Sequence, residues 1–275
     1  MLPIVFRVPG WVPLLAGQPV TSFGVLLLVA ILAGGAWLAR ELARSGVPRA
    51  TAWDLVVVAA VGGLVGAKLF HLALHPDAWT EGLSALAARS GLNGIGALAG
   101  VVAVGAWRAR AHGLALPRVA GAAAPGLALA YGIGRVGSFL AGTEYGHPTS
   151  SVLGVAFRRG APATTPANLA DAFGVTAPPD AIVGDHVLVH PTQLYEAGAA
   201  FALFAVLTRW RRGGARFGAF LVLAGMLRFA VDFLHVSRHR GAGPFTADQL
   251  VCAVVVAAGF VILARSREPE PDAPC

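Results

Sequence analysis

Runs of apolar residues alternate with short polar connections along the whole chain. Seven runs are long enough, or nearly so, to cross a bilayer: residues 23–39, 53–74, 91–107, 119–140, 191–208, 217–234 and 249–264. A hydrocarbon layer of roughly 30 Å takes about 20 helical residues to cross. Irregular backbone cannot face lipid, so these runs are read as α-helices. Their many Gly and Ala residues, as in Gly62-xxx-Gly66, predict that the helices approach closely. The pattern therefore predicts an all-α integral membrane protein, a bundle of seven transmembrane helices. One connection breaks the rhythm: residues 141–190 hold five prolines and only two basic residues. A connection that long is more often functional than structural, and it is expected to form a small external head within a membrane domain covering residues 1–264. Residues 265–275 are polar and proline-containing, and are expected to be a disordered tail. Residues 1–20 have neither a long apolar run nor a small-residue cleavage site, so no cleaved signal peptide is expected.

Composition agrees with a membrane protein. Hydrophobic residues make up 56% of the 275 and charged residues 13%, with a mean hydropathy of +0.68. A single soluble core does not use so much apolar surface. The two cysteines, Cys252 inside a span and Cys275 at the end, form no disulfide framework. The formal charge of +7 raises the possibility of nucleic acid, but the basic residues sit in short loops and not on one polar face, so no nucleic-acid partner is expected. Those loops encode orientation. One side carries twelve Lys and Arg, among them Arg40, Arg108 and Arg209, against six on the other. Basic residues accumulate in cytoplasmic loops, so the N-terminus and the head are placed in the periplasm and the C-terminus in the cytoplasm, across the inner membrane. Trp53, Trp79, Trp107 and Trp210 lie at or near span ends, where indoles favour the interface.

An ionisable residue inside a span costs roughly 2.5–3.5 kcal/mol on insertion scales, so each needs a partner or a function. Six qualify: Asp54, Lys68, Arg135, Glu196, Arg228 and Asp232. Asp54 opens its span and Lys68 can snorkel, which favours structural roles for both. Arg228 and Asp232, four apart, can neutralise each other on one helix face. Arg135 is flanked by glycines in the segment Gly134 to Gly146, and on a helix Arg135, Ser138 and Gly142 share a face offering a guanidinium, a hydroxyl and bare backbone. That face suits a phosphate, which in a bilayer means a lipid headgroup, because a guanidinium fork can hold two oxyanions. The same pattern also fits an arginine that only ties helices together. A second dense stretch, His190-Pro191-Thr192-Gln193-Leu194-Tyr195-Glu196, carries polar groups into the membrane where capping alone would not need them. His147, His186, His190 and His235 match no metal-ligand spacing, and no metal is expected.

At these residues the chain resembles the bacterial prolipoprotein diacylglyceryl transferases, whose pattern runs Gly-Arg-x-Gly-Asn-Phe followed by a Glu and a Gly. The match here is Gly134 to Gly146. It resembles them also in the His-Pro-Ser/Thr-Gln-Leu-Tyr-Glu segment, His190 to Glu196, and in a late Gly-x-x-Arg-Phe-x-x-Glu-Phe segment, Gly225 to Phe233. The resemblance implies an enzyme without a cofactor that takes phosphatidylglycerol and moves its diacylglyceryl group to the lipobox cysteine of a preprolipoprotein, recognised through its signal peptide, with glycerol phosphate leaving. By position it gives catalytic roles to Arg135, Arg228 and Glu144. Substrate-binding roles fall on Ser138, Gly142, Gly146, His190, Gln193, Tyr195, Glu196 and Asp232. The chain departs from the pattern in six ways: Ser138 replaces the Asn, Glu144 stands one residue further from Arg135, Asp232 replaces the late Glu, Phe23 replaces a span 1 tyrosine, Ala224 or a neighbour replaces the tyrosine before the late arginine, and Gly94-Ile95-Gly96 replaces a His-Gly-Gly element in span 3 that is proposed to assist thiol deprotonation. A non-catalytic relative that keeps only the lipid or lipoprotein site is the alternative. A small-solute transporter is a third reading, for which the inverted repeats are missing.

The charge bias makes a direct prediction. An alkaline phosphatase fusion within residues 141–190 is expected to be active and one after Arg212 inactive; the reverse pattern would invert the assigned topology.

Overall fold

The computed structural model describes residues 4–7, 9, 11, 17–75, 93–210, 213–236 and 245–266. Trp79, Gly91, Arg212 and the tail beyond 266 lie outside the described residues. The described residues contain seven helices of 18 residues or more: α1 (Ser22–Ala43), α2 (Arg49–Leu74), α3 (Gly94–Ala111), α4 (Leu116–Ala141), α6 (Thr192–Arg209), α7 (Gly214–Asp232) and α8 (Ala247–Arg265). A short helix α5 (Pro166–Phe173) lies in the long connection between α4 and α6. Five of them, α1, α2, α4, α7 and α8, are both long and apolar enough to cross a membrane, which makes this a multi-pass membrane protein. Two small antiparallel pairs accompany the helices: β1 (Ile4–Arg7) with β2 (Pro19–Thr21), and β3 (Ile182–Val183) with β4 (His186–Val187).

Each long helix falls on an apolar run, but several continue past it. The first run stops at Ala39, whereas α1 continues to Ala43, because the buried Glu41 is matched by Arg44 at 2.5 Å and the chain turns only at Gly46, where φ is 80°. The third run stops at Trp107, whereas α3 continues through Arg108 to Ala111. Arg108 grips Asp54 of α2 with two hydrogen bonds of 2.6 and 3.0 Å, and His112 Nε2 lies 2.7 Å from the same carboxylate. Asp54 thus has the structural role expected of it. Lys68 is buried within α2, 9% exposed.

The chain forms two compact units, Gly35–Ala123 and Met1–Gly34 with Ala124–Cys275. In the first, α2 and α3 pack through glycine. A Cβ on Gly100 would stand 2.1 Å from the Gly62 carbonyl oxygen, and one on Gly96 would stand 2.4 Å from that of Gly66. In lipid there is no hydrophobic drive to join helices, so this backbone-on-backbone contact supplies the attraction. Outward from the seam, Val57, Val61 and Leu64 are all more than half exposed, as suits a surface solvated by acyl chains.

In the second unit, α7 and α8 pair in the same manner around Gly218, Gly225 and Gly259. Ala124 and Ala128 of α4 join Leu203 and Leu207 of α6 and Ala219 of α7 in a buried cluster. The long connection has a core of its own, in which Tyr145, Phe157, Leu169, Val187 and Val189 are all buried. The Tyr145 and Phe157 rings stack at 5.4 Å, and the Tyr145 hydroxyl donates to the Pro162 carbonyl at 2.9 Å. Burial pushes that phenol up to about 12.

A methyl group at Gly100 has nowhere to go. Gly100→Ala is expected to destabilise the protein by about 1–3 kcal/mol, whereas Gly198→Ala, where no atom stands within 4 Å of the added carbon, is expected to be neutral or slightly stabilising. Thermal unfolding of the two variants in detergent checks the difference.

Candidate active site

Helix α4 carries Arg135 and Ser138 and ends at Ala141. Gly142, at φ 70°, closes it with two backbone bonds, Gly142 N–H to the Phe139 carbonyl and Thr143 N–H to that of Ser138, both 3.1 Å. This is the glycine-terminated end that leaves fewest carbonyls unsatisfied. The expectation of a helical face running from Arg135 through Ser138 to Gly142 is thereby corrected, since Gly142 lies past the helix. Its bare backbone is not open to a ligand either: a Cβ there would stand 2.6 Å from Gly160 Cα.

Beyond the turn the chain becomes extended and joins the other two motif segments. Gly146 N–H donates to the His190 carbonyl at 2.8 Å, His190 N–H to the His147 carbonyl at 3.0 Å, and His147 N–H to the Leu234 carbonyl at 2.8 Å. Gly146 sits where these strands converge. A Cβ on it would come within 2.4 Å of the Leu234 oxygen and 2.8 Å of His190 Cβ and Thr192 Cγ2. Its smallness therefore serves to bring the three motifs together.

The His190–Glu196 segment supplies the clamps. Pro191 precedes α6, and the next two side chains are fully buried: Thr192 Oγ1 donates to the Glu144 carbonyl at 2.9 Å and Gln193 Nε2 to the Thr143 carbonyl at 2.5 Å. Both hold the turn that carries Glu144, a left-handed residue with φ 58°, a conformation that costs a non-glycine residue about 1–2 kcal/mol. The Tyr195 hydroxyl lies 3.3 Å from His190 Nδ1, so these two side chains engage one another.

Glu196 stands one turn into α6 with its side chain 2% exposed, and two arginines converge on it. Its Oε2 accepts from the Tyr131 hydroxyl and lies 2.5 Å from Arg135 Nε in an ion pair, and its Oε1 accepts from Arg228 Nη1 at 3.0 Å. The outer ends of the guanidinium groups meet two more carboxylates. Arg135 Nη1 lies 2.6 Å from Glu144 Oε2, which also accepts from Ser138 Oγ at 3.2 Å, and Arg228 Nη2 lies 2.9 Å from Asp248 Oδ2. Exposure separates these partners: Glu144 and Asp248 are 51% and 60% exposed. Asp232 does not act as the chief partner of Arg228 that its i, i+4 spacing suggests. It is 3.7 Å away and buried, and its Oδ2 accepts from Thr246 Oγ1 at 2.5 Å. Thr246 in turn caps α8 through a capping box with Gln249.

The cluster thus holds two permanent cations against a fixed carboxylate, with their outward N–H groups on carboxylates that water can reach. An incoming anion can compete for those N–H groups, because the Glu144 and Asp248 side chains are more than half exposed and water can solvate them when displaced. The buried Glu196 remains and keeps both forks in place. Among the described residues no three His, Cys, Asp or Glu side chains are grouped to hold a metal ion. Sequence reading missed Tyr131, whose ring lies under the Arg135 guanidinium at 4.9 Å, although its place four residues before Arg135 was a usable signal. It also missed Asp248, which lies one residue before the seventh apolar run and in the first turn of α8.

Comparison with known sequences extends well beyond the motifs. The profile of the family described as prolipoprotein diacylglyceryl transferase matches residues 11–265. The phosphatidylglycerol–prolipoprotein diacylglyceryl transferase of Mycobacteroides abscessus is 29% identical over 268 residues, covering 92% of this chain and 76% of its own length. Transferase 2 of Streptomyces coelicolor is 32% identical over 79% of this chain and 67% of its own. The Geobacillus kaustophilus protein of the same name is 30% identical, with 86% of each covered.

Removing Glu196 leaves two desolvated guanidinium groups facing each other. Glu196→Ala is expected to destabilise the protein by about 3–5 kcal/mol, the cost of breaking a buried pair from one side, and Glu196→Gln by less, since the amide still accepts one hydrogen bond. Unfolding midpoints in detergent order the three proteins.

Proposed function

The chain belongs to the prolipoprotein diacylglyceryl transferase family, and we infer that it moves the diacylglyceryl group of phosphatidylglycerol onto the cysteine thiol of a prolipoprotein. The observation that carries the division of labour is the convergence of Arg135 and Arg228 on the buried Glu196. In this reading the phosphodiester of the lipid takes the place of the Glu144 and Asp248 carboxylates on the outer N–H groups of the two forks. Bidentate guanidinium–phosphate pairs are among the stronger hydrogen-bonded contacts.

The thiolate sulfur attacks the glyceryl carbon, the bond from that carbon to the phosphate oxygen breaks, and glycerol phosphate departs with the electron pair. Negative charge grows on the oxygen that leaves, and fixed donors aimed there lower the barrier without reorganising. Glu196 and Tyr131 hold Arg135, while Thr192 and Gln193 hold the turn of Glu144. Ser138, in place of the usual Asn, keeps a hydroxyl on Glu144. The one-residue offset of Glu144 is absorbed by its left-handed backbone, which lets the carboxylate still reach Arg135. Asp232 secures Thr246 and so the start of α8, which places Asp248. We take all seven long helices to cross the inner membrane, with the N-terminus and residues 141–190 in the periplasm, where a translocated lipobox would meet the site. The support for this is the excess of basic residues in the opposite loops.

Purified protein in phosphatidylglycerol vesicles with a lipobox peptide tests the reading. Arg135→Ala and Arg228→Ala are each expected to lower transfer by about 10²–10³-fold with the protein still folded, and Lys at either position is expected to restore little, because a point charge lacks the fork. Complementation of a cell depleted of its own transferase gives the same answer in vivo. Lipid binding without transfer by the unaltered chain would favour the non-catalytic relative.

A further inference from the structure

A cysteine thiol with a pKa near 8.5 is mostly protonated at neutral pH, and only the thiolate is an effective nucleophile. The ion cluster contains no neutral base: its carboxylates are engaged by arginines or hydroxyl groups, and guanidinium groups do not give up protons. Three histidines lie in the segments that the backbone ladder joins. His190 is turned to the Tyr195 hydroxyl. The charged neighbour of His147 is His190 and not the cluster.

His235 differs from both. It follows α7 by three residues, its N–H donates to the Asp232 carbonyl at 3.1 Å, and its backbone bridges that of Gly146, two residues from Glu144. Its imidazole Nδ1 is buried and has no hydrogen-bond partner. The charged groups acting on the ring are Arg228 and Asp232 of α7, Glu144 of the turn and Glu196 of α6, all members of the same ion cluster. A buried nitrogen left unpaired beside four charges is uncommon, since such groups are ordinarily satisfied. Here a substrate can supply the missing partner.

We propose that His235 is the proton acceptor for the lipobox thiol, an assignment that rests on the transferase reading above. The thiol proton passes to the imidazole as sulfur bonds to the glyceryl carbon. The carbon–oxygen bond to phosphate breaks, and the imidazolium returns the proton to an oxygen of the departing glycerol phosphate, so that no proton is gained or lost overall. Burial, and then Arg228, hold the ring below the ordinary histidine range, so it remains neutral and able to accept at neutral pH. The base form persists above that lowered value and is lost only as the pH falls through it.

The test is the pH profile of kcat/KM for peptide in phosphatidylglycerol vesicles. The unaltered protein is expected to show an acid limb below about pH 6.5. His235→Gln is expected to lose about 10²-fold or more in rate at neutral pH and to lose that limb, while still binding phosphatidylglycerol. Imidazole added to His235→Ala is expected to restore turnover, which it does only if ring chemistry was what the substitution removed. Unchanged rate and limb in His235→Gln, or loss of the limb in His190→Gln instead, would overturn the assignment and leave the transferase reading standing. An unaltered protein that transfers nothing would overturn both.

Discussion

Glu196 sits between Arg135 of α4 and Arg228 of α7 with its side chain almost wholly buried, and the arrangement of the second unit follows from the need to neutralise those charges away from water. Two arginines inside an apolar bundle are costly unless paired, and one carboxylate cannot fully satisfy ten N–H donors. The remainder reach outward to Glu144 and Asp248, which are exposed. The same interaction that makes the bundle tolerable therefore leaves each guanidinium with an outward face paired to an exposed carboxylate.

The rest of the site serves to hold that arrangement in register. Thr192 and Gln193 grip the 143–144 turn through its carbonyls, Gly142 terminates α4, and Gly146 allows three extended segments to hydrogen-bond side by side. None of these residues needs to touch the lipid to be indispensable. Glycine and the buried amide are used here for geometry, and a side chain at Gly146 would push the third motif away from the first. A role in positioning explains Gly142 and Gly146 better than the ligand contact first assigned to them.

At Ser138, Glu144 and Asp232, where the sequence differs from the family pattern, the side chains are paired within the cluster. Glu144 takes a left-handed backbone that brings its carboxylate to Arg135, and Ser138 donates to the same carboxylate. Asp232 accepts from Thr246 rather than closing on Arg228, and Asp248 is the outer partner of that arginine.

The helices were legible in the chain itself, because a segment that must satisfy its backbone in lipid announces its place by apolar length alone. Their ends were less so. Charged turns such as Glu41–Arg44 and the Asp54–Arg108 pair extend a helix beyond its apolar run, and such pairs join residues up to 54 positions apart. The site residues Arg135, Glu196 and Arg228 stood out for the same reason the spans did, as charges where none should be. Which of them pair was decided only by the tertiary structure: spacing suggests Arg228 with Asp232, whereas packing brings Arg228 to Glu196 from 32 residues away. Sequence records which groups need a partner in lipid. Only the folded backbone, brought together at Gly146, determines which partner is within reach.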